Sequence, residues 1–222
     1  MTAIILAGGK SSRFGRDKAF VKIEGIPIIK RQIKILAMIF KKIIIVTNSP
    51  RKYRLKGVKI IQDIIPDKGP LGGLYSGLRA SDSIYNFVVA CDMPFLNERL
   101  VKYMIKNIKN FDVFIPKIDN KLHPLCGIYS KNCIPVIEQR LMQDRLKVSG
   151  IFSMVQESIK HFPIPLRKSP KVIAGGNFLE LKVKFISKKK LQSFDKALLC
   201  LENINTLQDL KNINRKRLHN YG

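Results

Sequence analysis

Four basic side chains, Lys10, Arg13, Arg16 and Lys18, follow closely on Gly8-Gly9, and the two glycines close an apolar run, Ile4-Ile5-Leu6. Glycine lets a backbone approach a ligand closely, and successive peptide N–H groups can then surround an anion. Positive side chains beside such backbone suit phosphate, and the loop reads as a phosphate cradle for a nucleotide. The same residues also describe an ordinary strand exit with surface lysines, so the loop alone leaves both readings open. Two familiar phosphate loops are excluded. Gly9-Lys10-Ser11 supplies the tail of G-x-x-x-x-G-K-[ST], but Ile4 stands where its first glycine belongs. The dinucleotide fingerprint G-x-G-x-x-G finds no match, because the glycines fall at 8, 9 and 15.

Asp92, in Cys91-Asp92-Met93-Pro94, is the second residue with clear chemical potential. A carboxylate just past an apolar segment, beside a phosphate cradle, is where a hard cation such as Mg²⁺ would be held. Magnesium takes one or two protein carboxylates and completes its shell with phosphate and water. The competing assignment is a cap for the helix after Pro94. His123, before Pro124, is a candidate general base and equally a packed scaffold histidine. Cys91, Cys126, Cys133 and Cys200 form no C-x-x-C pair; reduced, packed thiols are expected, and Cys126 and Cys133 with His123 make a poor zinc site.

The elements that must position these groups read as strands alternating with helices. Residues 3–7 are a buried strand; Ala19–Ile23 is extended; Glu24-Gly25-Ile26-Pro27 is a turn. Ile29, Ile33, Leu36 and Phe40 form a helical apolar stripe behind Pro27, a residue suited to a first helical turn. Strands at Ile43–Thr47 and Val58–Ile61 follow. Gly69-Pro70-Leu71-Gly72-Gly73 reads as a turn opening a helix at Leu74–Ser81, then come a strand at Asn86–Ala90 and a helix carrying Leu100, Val101, Met104, Ile105 and Ile108. Further on the pattern gives strands at Val113–Ile115 and Leu125–Tyr129 and helices at Ile134–Leu141 and Val148–Ile159. Leu179, Leu181, Val183 and Phe185 alternate with Glu180, Lys182 and Lys184, one half-buried arm of a β-hairpin near 170–187. A strand at Ala197–Leu201 and a terminal helix capped by Thr206, with Asp209 in its first turn, complete the chain.

This is α/β grammar: a mostly parallel, doubly wound, Rossmann-like sheet with helices on both faces, plus an appended hairpin. Ligands of such sheets bind outside the carboxyl ends of the strands. The loop at 8–18, Asn48, Asp63, the turn at 69–73 and Asp92 each follow an apolar strand, so they should converge on one edge.

At 222 residues, with 45% hydrophobic and 26% charged residues, the chain suits one globular domain, 1–222. No apolar run approaches a membrane span, and the first residues lack a signal-peptide pattern, so a cytoplasmic protein without membrane association is expected. The net charge of +25 favours polyanions, but the excess is spread along the chain and accompanies abundant isoleucine. Compositional bias accounts for more of it than nucleic-acid binding does.

Taken together, Leu6-Ala7-Gly8-Gly9-x-Ser-x-Arg13-x-Gly15-x-Asp17-Lys18, Gly69-Pro70-Leu71-Gly72-Gly73-Leu74, Cys91-Asp92-Met93-Pro94-Phe95 and Asn203-Ile204-Asn205-Thr206 resemble the molybdenum cofactor guanylyltransferase (MobA-like) family of nucleotidyltransferases. The likeness covers about 1–160 and 196–213. It implies Mg²⁺-dependent transfer of GMP from GTP to the terminal phosphate of molybdopterin, with release of pyrophosphate. Leu6, Ala7, Gly8 and Gly9 match the segment that meets the nucleotide through backbone atoms, Lys18 and Arg13 the cations on the triphosphate. Asn48 and Asp63 match positions that contact the guanosine, Asp92 the magnesium ligand, which would also contact the nucleotide, and Asn203 and Asn205 the asparagines near the acceptor phosphate; Gly72, in the Gly69–Leu74 run, is a further expected binding residue. Lys18, Arg13 and Asp92 would carry catalysis. A molybdoenzyme or chaperone would receive the product. The alternatives are a cytidylyltransferase on the same cofactor, a sugar-phosphate nucleotidyltransferase and, in another class, a non-catalytic nucleic-acid-binding protein. Two departures stand out: Leu207 replaces the family's usual proline, and 164–195 is longer than the family's usual connection, an insertion within the domain.

Overall fold

The structure, a computed structural model, describes residues 1–8, 17–152 and 181–221. Gly9, Lys10, Arg13, Arg16, the expected helix beyond 152 and the first arm of the hairpin therefore lie outside the described residues. The strand β1 (Thr2–Leu6) is buried at every residue. It pairs in parallel with β4 (Ile43–Thr47) on one side and β6 (Tyr85–Ala90) on the other, and β5 (Lys59–Gln62) adds in parallel outside β4. Continuous apolar runs are what strands covered on both faces require. Ile5 and Ala3 face one core and Ile4 and Leu6 the other, as the two-residue strand period dictates. Each such isoleucine, fully buried, contributes about 1.5–3 kcal/mol.

Helices cover both faces. On one, α1 (Ile28–Ala37) and α3 (Glu98–Asn107) bring Ile29, Leu36, Leu100 and Met104 onto Ile5, Ile45 and Phe87. On the other, α2 (Gly69–Ala80) and α4 (Cys133–Met142) bring Leu71, Leu74, Leu78 and Ile137 onto Ile4, Leu6 and Val88. The two crossovers that flank β1, through α1 and through α2, thus lie on opposite faces, and β1 is the switch point of the sheet. A crevice at its carboxyl end follows.

Several expectations are corrected. The glycine-rich segment at 69–73 is the first part of α2, not a turn before it. Pro70 fits its first turn, where a missing N–H costs nothing. Its glycines serve close packing: a Cβ on Gly77 would sit 2.6 Å from Ile4 Cγ2, and one on Gly72 2.9 Å from the Ile65 carbonyl oxygen. Lys18–Phe20 is a 3₁₀ turn, and β2 (Lys22–Ile23) with β3 (Ile26–Pro27) forms a two-residue hairpin. Glu24 and Gly25, both at positive φ, supply its turn. Leu199–Leu201 is likewise a 3₁₀ turn, not a strand. All three of its side chains are buried, which mimics a strand, but Asp195 accepts the Cys200 N–H at 2.7 Å and bends the backbone. Val148–Ile151 is 3₁₀ as well.

Beyond β6 the sheet runs through β9 (Cys126–Ser130), antiparallel to both its neighbours, to β7 (Val113–Ile118) and β10 (Val183–Ser187); β8 (Lys121–Leu122) hangs antiparallel on β7. The strand expected as a hairpin arm is this β10, and it joins the main sheet parallel to β7. It is not half-buried by simple alternation. Leu181 and Val183 meet one core, Ile186 is buried in the other, and Phe185 is 43% exposed. A third apolar cluster ties the end of the chain back to the start: Leu199, Ile204 and Ile213 pack with Ile23 and Ile28. The helix Leu207–Tyr221 begins there, and no helix among the described residues is long and apolar enough to cross a membrane.

Candidate active site

The strand-end residues meet at one edge of the sheet. Ala7 N–H extends the β1 pairing to the Val46 carbonyl (2.8 Å), Asp63 N–H reaches the Thr47 carbonyl (3.3 Å), and Cys91 N–H reaches the Leu6 carbonyl (3.0 Å). The backbone ladder therefore sets the spacing between Gly8, Asn48, Asp63 and Asp92 before any side chain is considered. A cavity of about 230 Å³ opens among Leu6, Gly8, Thr47, Asn48, Asp63 and Gly73, with Asp67, Gly69 and Pro70 at its other wall. Asn48 is exposed at the rim; Gly8 adjoins it, so that even a Cβ there would lie 3.9 Å from Asn48 Nδ2.

Asp63 is buried, and its Oδ1 is already engaged by the Ser76 hydroxyl (2.6 Å) and the Ile65 N–H (3.1 Å). It lines the cavity as a fixed carboxylate. Gly72 stands behind it, 3.4 Å from Asp63 Oδ2 at the position of a would-be Cβ, while Gly73 faces the cavity.

At the same edge of the sheet lies a charged cluster. Asp17 Oδ1 accepts the Ala19 N–H (3.1 Å) and caps the turn that carries Lys18. Lys18 Nζ donates to Asn205 Oδ1 at 2.6 Å and stands 3.8 Å from Asp92 Oδ2. Side-chain exposures of 23% for Lys18 and 17% for Asp92 make this a partly desolvated pair. Burial pushes the Asp92 carboxyl above the usual carboxylate range, against the opposing pull of Lys18 and a backbone N–H. Its Oδ1 is buried with no hydrogen-bond partner among the described residues. A desolvated carboxylate oxygen without a donor fits a cation ligand. Among the described residues no three His, Cys, Asp or Glu side chains group as a metal site, so a bound ion would draw its other ligands from substrate and water.

Asp92 does not cap the next helix. Asn97 does, its side chain accepting the Leu100 N–H at 3.0 Å. The sequence places Asn203 and Asn205 together, but the structure separates their surroundings: Asn205 meets Lys18, while Asn203 is exposed. His123 lies in the β8–β9 connection, with its backbone N–H on the Pro116 carbonyl; burial, then Lys121, lowers the pKa of its imidazole. Burial pushes the Cys126 and Cys133 thiols up to about 12, consistent with packing and not with nucleophiles.

Three residues escaped the sequence reading. Tyr53 reaches the phosphate-loop ends with its hydroxyl. Ser76 fixes Asp63. Gln32, fully buried in α1, donates Nε2 to the Ala90 (2.8 Å) and Met93 (2.9 Å) carbonyls and so holds the turn that carries Asp92. Gln32 left a signal: it lies four residues from Ile28 and from Leu36, a polar group at a core-facing helical position.

Comparison with known proteins decides the family. Residues 3–158 match the MobA-like NTP transferase domain. A probable molybdenum cofactor guanylyltransferase of Clostridium perfringens is 35% identical over 218 residues, covering 97% of both chains. This chain belongs to the molybdenum cofactor guanylyltransferase family. A second member, the molybdenum cofactor guanylyltransferase of Desulfosudis oleivorans, is 32% identical over 213 residues, covering 95% of this chain and 93% of its own. The fold agrees with that of molybdopterin-guanine dinucleotide biosynthesis protein A from Archaeoglobus fulgidus, with a TM-score of 0.73 over 97% of each chain at 23% identity. Like the other members, the chain is a nucleotidyltransferase, and the cavity at the end of β1 is its candidate donor site.

Proposed function

We propose that this enzyme transfers GMP from GTP to the terminal phosphate of molybdopterin, with Mg²⁺ as its metal ion, and that residues 1–222 act as one domain in doing so. The observation that carries the reading is that Lys18, Asp92 and Asn205 cluster at the same strand-end edge as the cavity, Cys91 N–H being bonded to the carbonyl of the cavity residue Leu6. A nucleoside in the cavity directs its triphosphate towards those charges. Leu6, Ala7, Gly8 and Gly9 would meet the nucleotide through the backbone, Asn48 and Asp63 the guanosine, with Gly72 keeping Asp63 in place. Arg13 and Lys18 would neutralise the triphosphate, and Asn203 and Asn205 would face the acceptor phosphate.

In the transfer, an oxygen of the acceptor's phosphate monoester attacks the α-phosphorus of GTP. A new P–O bond forms, the bond between the α-phosphorus and the bridging oxygen to the β-phosphorus breaks, and pyrophosphate leaves with the electron pair. The nucleophile is already ionised near neutral pH, so no strong general base is required. Catalysis is positioning plus neutralisation of charge. Asp92 would hold Mg²⁺, which when bound supplies positive charge to the phosphates. Lys18 is steadied directly by a neutral amide, and its ion pair with Asp92 at 3.8 Å is the looser contact.

The test is incubation of purified protein with molybdopterin, Mg²⁺ and each nucleoside triphosphate in turn. Pyrophosphate release with GTP alone is expected. A preference for CTP would overturn the guanylyl assignment, and no release with any triphosphate would overturn the transfer itself.

A further inference from the structure

Tyr53 sits in a basic segment, Arg51-Lys52-Tyr53-Arg54, yet is only 3% exposed. Its ring packs against Phe20, with centroids 5.0 Å apart. Its hydroxyl is 3.0 Å from Asp17 Oδ2 and 3.4 Å from the Ala7 carbonyl oxygen. Ala7 and Asp17 are the residues on either side of the segment 8–16. One phenolic proton serves one acceptor at a time, and the shorter contact to a carboxylate is the stronger. Asp17 therefore has both oxygens committed: one to Tyr53, the other to the Ala19 N–H that closes the turn bearing Lys18. Tyr53 thus connects through Asp17 to the turn that carries Lys18.

We propose that Tyr53 is a positioning residue for nucleotidyl transfer. Its hydroxyl holds Asp17 at one end of the phosphate loop, close to Ala7 at the other, and through Asp17 sets the direction of Lys18. The proposal deepens the transfer reading and rests on it. Tyr53 touches no reacting atom. It acts entirely through Asp17 and Lys18, and that path makes a sharper claim than a general need for packing.

Tyr53→Phe keeps the ring against Phe20 and removes the hydroxyl alone. Loss of a hydrogen bond to a charged acceptor should lower kcat/KM for GTP about tenfold, with the melting temperature little changed. The decisive comparison is with Lys18→Ala. If Tyr53 works by aiming Lys18, Tyr53→Phe has no further effect on turnover in the Lys18→Ala background; equal losses in both backgrounds would overturn the proposal. So would a single variant whose kcat/KM stays within about twofold of the parent. Amide exchange at Ala19 provides a reading that needs no substrate: it should speed up several-fold in Tyr53→Phe, and an unchanged rate counts against the clamp. Asp17→Asn should reproduce both effects, and it replaces Tyr53→Phe should that variant fail to fold. A parent enzyme that transfers nothing from GTP would overturn the function proposed above while leaving the exchange result to judge the clamp.

Discussion

Replacing Asp92 with asparagine should damage the enzyme without damaging the fold. At 3.8 Å, the Lys18–Asp92 attraction is about 4 kcal/mol for an effective dielectric constant of about 20. Against it stand a burial penalty of several kcal/mol for the carboxylate and about 1–3 kcal/mol for an oxygen left without a donor, the state of Oδ1 among the described residues. These terms nearly cancel. The raised pKa decides the sign, because it means the fold disfavours the ionised form relative to the unfolded chain. With chelator present at neutral pH, Asp92→Asn should therefore melt at the parent's temperature or up to about 5 °C higher. Its transfer rate should fall about 100-fold or more, the scale seen when one electrostatic contact to a transition state is removed. Adding Mg²⁺ and nucleotide should raise the melting temperature of the parent well above that of the variant, since only the parent gains the linkage of ligand binding. Thermal melts with and without Mg²⁺, alongside pyrophosphate release, check all three. A variant several degrees less stable in chelator, or one that turns over like the parent, would refute the reasoning.

Gly77→Ala should cost about 1–3 kcal/mol, measured by denaturant unfolding, because the added methyl would sit 2.6 Å from Ile4 Cγ2 in a packed core. Asp209 supports the approach to the C-terminal helix by accepting the Asn205 and Thr206 N–H groups, both at 2.8 Å, while Thr206 Oγ1 accepts the Asp209 N–H at 3.1 Å. These bonds, that to Asn205 first, hold the Asp209 carboxyl below its ordinary range, so its contribution is present above the usual carboxylate pKa and is lost as pH falls through the lower folded value. Asp209→Asn should accordingly melt about 2–4 °C below the parent at neutral pH, and the gap should begin to close below about pH 4 and vanish in stronger acid; a gap that persists in strong acid would show that the carboxylate is not its source.

What the sequence revealed, and what it hid, follows from the range of the interactions. Ile43–Thr47 could be bounded from its residues alone because a run of buried β-branched side chains has one common explanation, and the structure returns those bounds. The convergence of Gly8, Asn48, Asp63 and Asp92 was legible for a similar reason: parallel strands put all their carboxyl ends at one edge. The glycines of α2 misled because the same residue that breaks a helix in isolation also lets a helix lie close to a strand, and only the position of Ile4 shows which applies. The direction of β10 depends on which strand it meets, and its own alternation does not encode that. Tyr53 left no trace at all. A tyrosine among arginines and lysines gives no periodicity, and its two acceptors stand 46 and 36 residues away.

The contact between Lys18 and Asn205 joins groups 187 residues apart, and its chemistry bears on how a chain with 41 basic and 16 acidic residues can build a selective site. An acid in direct contact would fix Lys18 firmly but would also neutralise it, leaving less attraction for phosphate. Asp92 stands at 3.8 Å, beyond hydrogen-bond reach, while the amide oxygen of Asn205 makes the 2.6 Å contact and carries no charge. The lysine is held in direction by a neutral group and is paired with Asp92 only at the longer distance. Asn205 can do this only if its own backbone is placed, and three contacts place it: the Asn205 N–H on Asp209, the neighbouring Ile204 N–H on the Asp92 carbonyl, and the Ile204 side chain in the cluster with Ile23 and Ile28. The end of the chain thus serves the loop at its beginning. It contributes an uncharged hydrogen-bond acceptor at the point where another acid would have weakened the site.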